Sequence, residues 1–528
     1  MSINRLVVLF FLLMASAWAA LVNGQPFFMG DTSAYVRGPD FAVVYLFGNK
    51  FATSWTQERT LQGAEHPPQH ATAEAPAEDV TLNSPYDKAV LAGRSIYYGA
   101  LLYIGHLTSH FWLSVFAQAI IFLYLCYTLT IKCLRLSFST FVCVTSAILV
   151  ASPVSFFISF LMPDVFASFL ILATIIVVGF WNALKGRDRI LASAIILYSA
   201  LTHTSHLLLL ICLGSLFACV CFFTERKGTR SILKRVIVLF TLILAGSLGE
   251  LAFSWETRNT IGSDPIRAPF VMARLIADGP GYQFLQKNCP TKSYVVCKYI
   301  DRLPTPSDAF LWSRDPKEGV FSIADFATRQ ALSSEQTSFV LNVFRSDPIG
   351  VITNVASDFF HQLIKVGLDE FFPNQQQLQA FKEKLPKYYL DGLLRSHISM
   401  NDWILAPANM WFSFIYIISI TALVLAWGLL PLAQFRNRLN FFPDRQWFQV
   451  LTIAITGIAF NAAICGALSG PNPRYQARIS WIPLFVLLLF VAKLWEALWS
   501  SKNRLEFAHR LTERPLRPLR FFGVGGGH

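Results

Sequence analysis

The chain has 528 residues, of which 54% are hydrophobic and only 14% charged, and phenylalanine alone accounts for 47. Such a balance excludes an ordinary soluble enzyme, because several of its apolar runs reach the ~20 residues that cross a bilayer. A net charge of +12 would suit a nucleic-acid binder in a soluble protein; here the basic residues follow the membrane, and no nucleic-acid partner is expected.

Leu6 to Val22 is an almost unbroken apolar run. With Arg5 ahead of it and the small residues Ala15 to Ala20 inside it, the run reads either as a retained anchor or as a cleaved signal peptide. In both cases Gly30-Asp31-Thr32-Ser33-Ala34-Tyr35 emerges just beyond it, so Asp31 stands at the lip of the membrane. A carboxylate there is costly if buried and ordinary if wet.

Residues 25–107 are mostly polar and form a long first outer loop. Within it Glu65 to Asp79, rich in Pro, Ala and Glu and free of aromatics, reads as a mobile tip. Phe41–Phe51 and Arg94–Ile104 are apolar and aromatic but too short to span, which suits interfacial helices with tyrosines at headgroup depth.

Further spans are expected at about 111–131, 138–160, 165–182, 190–203, 207–223, 234–253, 409–431, 447–468 and 479–499, making about ten transmembrane helices with the first. The stretch 190–223 is ambiguous: two short helices meeting at Thr202-His203-Thr204-Ser205-His206, or one long span that would reverse the side of every later loop. With ten spans and the N-terminus inside, the short inner loops carry Lys132 and Arg135; Lys185, Arg187 and Arg189; Arg226, Lys227, Arg230, Lys234 and Arg235; and Arg436, Arg438 and Arg445. The tail adds Lys502, Arg504, Arg510, Arg514, Arg517 and Arg520, whereas the short outer turns hold little basic beyond Arg474 and Arg478. That asymmetry is the positive-inside pattern, and it places a multi-pass protein in the inner (plasma) membrane with both termini cytoplasmic.

The resulting organisation is a transmembrane module over 1–253, an extracytoplasmic domain over 254–406, C-terminal transmembrane helices over 407–500 and a basic tail over 501–528. The extracytoplasmic segment is of mixed polarity with helical patterning, as in Ser338–Val366. It holds Cys289 and Cys297, which read as one disulfide closing a short loop or as two free thiols. The other seven cysteines lie in or beside apolar spans, where cysteine behaves as a small hydrophobe. There is no internal repeat, no heptad pattern, no glycine-rich phosphate loop and no Cys-x-x-Cys pair.

Several polar residues are expected at one depth on the outer face. Asp31 follows the first span, and Asp164 sits in Met162-Pro163-Asp164 between the third and fourth. His203 and His206 lie between the fifth and sixth, and Arg474, Tyr475 and Arg478 precede the last. Each has a plain reading beside a functional one. Asp164 can cap the following helix. His203 and His206, three apart on one helix face, can bind a metal with a third ligand or be hydrogen-bonded structural residues. Arg474 and Arg478 can snorkel to headgroups, or they can hold a specific anion on a side that short loops keep poor in positive charge.

An acid shortly after the first span in an Asp-x-x-x-Tyr setting, a Pro-Asp turn at 163–164, an Arg-Tyr pair before the last span and a large late outer segment together resemble the membrane-embedded GT-C glycosyltransferases. The resemblance implies an all-α polytopic fold with an outward-facing loop domain and transfer of a sugar from a polyprenyl-phosphate carrier to an envelope acceptor on the extracytoplasmic side. It implies Asp31 as catalytic base or acceptor-orienting residue, Asp164 as a supporting acid, and Arg474 and Arg478 on the lipid phosphate. Tyr35, Arg94, His203, His206 and Tyr475 join them as substrate-binding candidates, with a divalent metal as the one cofactor in question and membrane lipid as a further partner. Asp278-Gly279-Pro280 and Asp301-Arg302-Leu303-Pro304 match no standard domain of that family, which leaves the acceptor open. Two other readings stand beside this one: an envelope polysaccharide polymerase or ligase, which would not need Asp31, and a lipid-linked substrate transporter or flippase.

Overall fold

The computed structural model describes residues 3–55, 90–224, 229–289, 294–435 and 444–512. The expected tip at Glu65–Asp79, the basic pairs Arg226/Lys227 and Arg436/Arg438, and the end of the tail lie outside the described residues.

The fold is all-α. Its first apolar run is helical as α1 (Ile3–Ser16) and α2 (Trp18–Asn23), with a break at Ala17. Then come α3 (Thr32–Phe47), α4 (Ile96–Ser109), α5 (Trp112–Tyr127), α6 (Phe138–Ala151) and α7 (Val165–Phe180). The span expected over 138–160 is therefore shorter than foreseen: α6 ends ahead of Ser152-Pro153, and a separate turn of helix covers Val154–Ile158. Proline at 153 has no N–H to continue the ladder, which accounts for the break. Next are α8 (Gly186–Thr202) and α9 (Thr204–Thr224), two helices that part at His203 and pack on each other, so 190–223 is not one straight rod. They are followed by α10 (Thr229–Ile261), α11 (Phe270–Ala277), α12 (Phe326–Ser346), α13 (Pro348–Ile364) and α14 (Gln375–Lys384). The chain closes with α15 (Leu405–Phe435), α16 (Asp444–Ser469), α17 (Pro473–Ala477) and α18 (Trp481–Thr512).

Among the described residues six helical stretches are long and apolar enough to cross a membrane: Trp112–Cys133, Thr204–Phe222, Ser231–Ile261, Asp402–Leu430, Gln446–Ser469 and Pro473–Glu496. Ile3–Ser16, Phe138–Ala151 and Val165–Phe180 are shorter apolar helices. Helix α7 is the central post, since every residue from Val165 to Phe180 is buried. A helix apolar on all sides belongs inside a bundle, and here α5, α8, α9 and α16 surround it.

The segment 254–406 does not form the single domain expected of it. Helix α10 runs on to Ile261, past the boundary at 253, before the chain leaves it. Residues from Ile266 to Val351 then build a separate core around Met272, Phe310, Phe321 and Phe339, beside which Cys289 and Cys297 are disulfide-bonded with Cα atoms 5.5 Å apart. From Val366 to Ile398 the buried side chains instead join the main core of the membrane helices. The two parts meet at Arg274 of α11, which pairs with Asp358 of α13 at 2.7 Å and Asp278 at 2.8 Å. Burial pushes the Asp278 carboxyl up to about 6, against the pull of Arg274 and with the help of Asp358.

Two close approaches set the outer edge. Phe27 N–H donates to Ser159 O at 2.9 Å and Leu161 N–H donates to Phe27 O at 3.0 Å, so the loop after α2 is stitched to the turn before α7. Gly99 lets α4 lie against α3, because a Cβ there would stand 2.4 Å from Tyr35 O, backbone that cannot step aside.

The two ends of α7 carry different ionic groups. Asp164 stands at its N-terminal end, whereas at the other end Arg235 donates to Val178 O at 2.7 Å and Arg189 to Trp181 O at 3.0 Å. Sixteen helical residues at 1.5 Å each separate these groups by about 24 Å, close to the thickness of a hydrocarbon layer. Reporter fusions after Lys227 and near Asp308 are therefore expected to report opposite sides of the membrane. The same side for both contradicts this arrangement.

Candidate functional site

Asp31 and Asp164 each occupy the N-terminal boundary of a helix, α3 and α7, and neither carboxylate accepts a capping hydrogen bond. The capping role open to Asp164 from sequence is thus not the one it has. Both acids turn instead to arginines from distant parts of the chain.

Arg94 Nη2 lies 2.6 Å from Asp31 Oδ2. It is held there because the next residue, Ser95, caps α4 by accepting from Tyr97 N and Tyr98 N, which fixes where the chain enters the helix. Burial alone would raise the Asp31 carboxyl, but Arg94, aided by Arg474 and Lys384, holds it below the usual carboxylate range. Burial likewise works against the Arg94 guanidinium, and Asp31 with Tyr35 more than offsets it. The Asp31 side chain remains 34% exposed, so the acid is ionised and partly wet.

Asp164 is buried, and two guanidiniums share it. Arg474 Nε and Arg478 Nη1 both lie 3.5 Å from Asp164 Oδ1. The two arginines are unequal. Arg478 Nη2 donates to Asn461 Oδ1 at 2.9 Å and contacts Cys465 Sγ at 3.2 Å. Asn461 is itself fixed by donating to Tyr475 O at 2.8 Å. Beyond Asp164, Arg474 has the Met29 sulfur against Nη1. Among the described residues neither arginine's Nε makes an aligned hydrogen bond, so the difference lies in what the Arg478 fork reaches. Tyr475 lies under both, its ring centre 5.1 Å from Arg474 Cζ and 5.5 Å from Arg478 Cζ, a stacking that favours guanidinium over ammonium. The Met29–Arg474 contact joins the Asp31 side of the site to the Asp164 side.

Tyr35 packs edge-on to Tyr98 with ring centres 5.3 Å apart. Its hydroxyl is buried without a hydrogen-bond partner among the described residues, and burial raises it above the ordinary phenol range. His203 shares a narrow crevice with Arg94, Tyr97 and Glu250. Its Nδ1 accepts from Ser205 N at 3.2 Å, leaving the proton on Nε2. His206 Nδ1 donates to Ser199 O at 3.1 Å, and its buried Nε2 has no partner among the described residues. Among the described residues no three His, Cys, Asp or Glu side chains are placed to hold a metal ion, so these two histidines have no third ligand there.

Three contributors escaped the sequence reading. Lys384, at the end of α14, has its Nζ 3.7 Å from where a Gly30 side chain would begin, and burial lowers its ammonium despite the nearby Asp31. Nothing local in its surroundings marks it. Asn461 was more legible, as a lone amide inside the apolar run of α16. Glu370 also approaches, accepting from Asn472, the residue that caps α17, at 3.4 Å. Arg94, Lys384, Arg474 and Arg478 thus face Asp31, Asp164 and Glu370. Spare N–H groups are concentrated on Arg474, whose fork is less engaged than that of Arg478. The arrangement suits an anion that presents two oxygens to a planar guanidinium fork.

The inequality of the two arginines is measurable. Arg478→Lys removes a fork that spans Asn461, Cys465 and Asp164, and is expected to cost about 1–3 kcal/mol. Arg474→Lys should leave thermal unfolding close to wild type while weakening binding of a lipid phosphate. Equal thermal losses in the two purified variants would contradict the assignment.

No family model, curated protein or solved structure matches the chain, so the side chains themselves carry the functional reading.

Proposed function

We propose that the protein is an integral membrane glycosyltransferase of GT-C type with about ten spans, moving a sugar from a polyprenyl-phosphate carrier to an envelope acceptor at the extracytoplasmic face of the inner membrane. The observation that carries this reading is the meeting of an ionised, partly exposed Asp31 with a buried arginine pair at one edge of the helix bundle. A sugar donor of this kind is a phosphate at the membrane edge with an apolar tail, and its acceptor is a hydroxyl arriving from water.

In the proposed step the acceptor oxygen attacks the anomeric carbon and the bond from that carbon to the phosphate oxygen breaks. The hydroxyl proton passes to the Asp31 carboxylate, and the polyprenyl phosphate leaves with the electron pair. Arg474 offers N–H groups to the charge growing on that phosphate. Arg478 orients Asp164, which in turn balances Arg474. Tyr35 and His203 border the space near Arg94. A single displacement inverts the anomeric centre.

The Arg94–Asp31 pair bears on Asp31 in two ways. It keeps the residue ionised and aimed, and it makes the carboxylate a weaker base than a free one. That second effect favours a role in orienting the acceptor hydroxyl, and it is also the observation that supports the rival reading, a polymerase or ligase in which Asp31 is only the structural partner of Arg94.

The test is transfer of radiolabelled sugar from its lipid carrier by purified wild type and Asp31→Asn at matched, folded levels. General-base assistance is worth roughly 10²–10⁴-fold, and turnover in Asp31→Asn is expected to fall by that amount. Asp31→Asn also removes the partner of a largely buried Arg94 guanidinium, so rates are compared per folded protein. Equal rates would remove Asp31 from the mechanism and favour the polymerase or ligase.

A further inference from the structure

Helix α13 does not look like part of an aqueous domain. Ile349 is 77% exposed, Ile352 58%, Phe360 62% and Ile364 61%, and Leu341 and Phe344 of α12 extend the same bare surface. Of its seventeen residues only Asp358 and His361 are ionisable, and Asp358 is buried against Arg274. A contiguous apolar patch of this kind on a water-facing surface is rare.

The C-terminal half of α13 is wedged between the outer ends of two candidate spans. The carbonyl of Asp358 lies against Gly466 of α16, where a Cβ would come within 2.8 Å. Tyr416 Oη donates to Leu363 O at 3.0 Å, and Ser413 Oγ donates to Val366 O at 3.0 Å. Ser413 is the ninth residue of α15, about 12 Å below its start. Met410 and Ile417, which share a helix face with Ser413, are 74% and 46% exposed, so the lipid-facing side of α15 runs directly into the bare side of α13.

A cleft of about 690 Å³ opens at this junction, lined by Arg274, Asp358, His361 and Lys365 on one side and by Ile364 and Val366 on another. Lys365 and His361 are exposed. Lys365 Nζ donates to Pro471 O at 3.1 Å, which leaves two of its three N–H groups. The cleft is therefore amphipathic: the Lys365 ammonium and the His361 ring lie beside Ile364 and Val366, with an apolar helix running into it in the manner of an interfacial helix.

We propose that this cleft is a binding site for a phospholipid of the outer leaflet, its phosphodiester against Lys365 and His361 and its acyl chains along Ile364 and Phe360. The site is independent of the sugar-transfer reading, because it uses none of Asp31, Asp164, Arg474 or Arg478. It would tie the outer domain to the bilayer through α13.

Photo-crosslinking of the full chain tests it. Benzoylphenylalanine is placed at Ile364, at Ile352 or, as a water-facing control, at Lys317 of the outer domain, and the proteins are reconstituted in nanodiscs of phosphatidylethanolamine and phosphatidylglycerol. Intact-mass measurement after illumination is expected to show a phospholipid adduct at 364 and 352 and none at 317. Adding Lys365→Glu to the Ile364 probe is expected to lower its adduct about fivefold, the worth of one basic residue at an anionic surface. An adduct at 364 no greater than at 317, a crosslink to a second copy of the chain in place of lipid, or an undiminished adduct with Lys365→Glu would each overturn the proposal.

Discussion

A carboxylate taken out of water next to two guanidiniums is the constraint on which the outer edge of this molecule depends. Ions removed from water are stable only when geometry and hydrogen bonds replace what hydration supplied, and Asp164, 3% exposed, accepts no helix-cap bond. Its compensation comes from Arg474 and Arg478, and theirs from Asp164, Asn461, Cys465 and the Tyr475 ring. The cluster is thus mutual. Its members are contributed by the turn before α7, by α16 and by the short α17, so those elements cannot separate without leaving bare charge in a poorly solvated place.

The neighbouring features follow from keeping that cluster at one level. The Phe27–Phe160 bridge brings the loop after α2 alongside the turn that carries Asp164. Thr32 Oγ1 strengthens the stitch by donating to Leu161 O at 3.2 Å. Gly99 then allows α4 to lie on α3, which delivers Arg94 to Asp31. Two ion-pair clusters of different wetness result, one buried around Asp164 and one open around Asp31, linked by Met29 against Arg474. A buried cluster fixes positions, whereas a partly wet carboxylate can meet a reactant; the division of labour proposed for the site follows from that difference.

Much of this was legible in the sequence, for identifiable reasons. Length and apolarity marked the helical, membrane-type character, because hydrocarbon leaves no other way to satisfy the backbone of a single segment, although six described stretches rather than ten are long and apolar enough to cross. The gathering of Asp31, Asp164, Arg474 and Arg478 at one level followed from alternating the ends of successive helices. What stayed hidden required tertiary knowledge. The pairing of Arg94 with Asp31 joins residues whose connecting chain is long and polar, and Lys384 arrives from a helix far along the sequence with no motif around it. The split of 254–406 was also invisible: polar and apolar residues alternate through it much as in a small soluble domain, and only packing shows that 366–398 belongs with the membrane helices. The unequal engagement of Arg474 and Arg478 is likewise a matter of what Asn461 reaches.

The most direct measurement of this account is the stability of Asp164→Asn in the purified, reconstituted protein. An amide of the same shape removes the counter-charge from two buried guanidiniums, and uncompensated buried charge of this kind costs about 3–5 kcal/mol. A loss of that size is what the mutual cluster predicts. A loss near the ~1 kcal/mol of an ordinary helix cap, or none, would contradict it and return Asp164 to a structural residue at the start of α7.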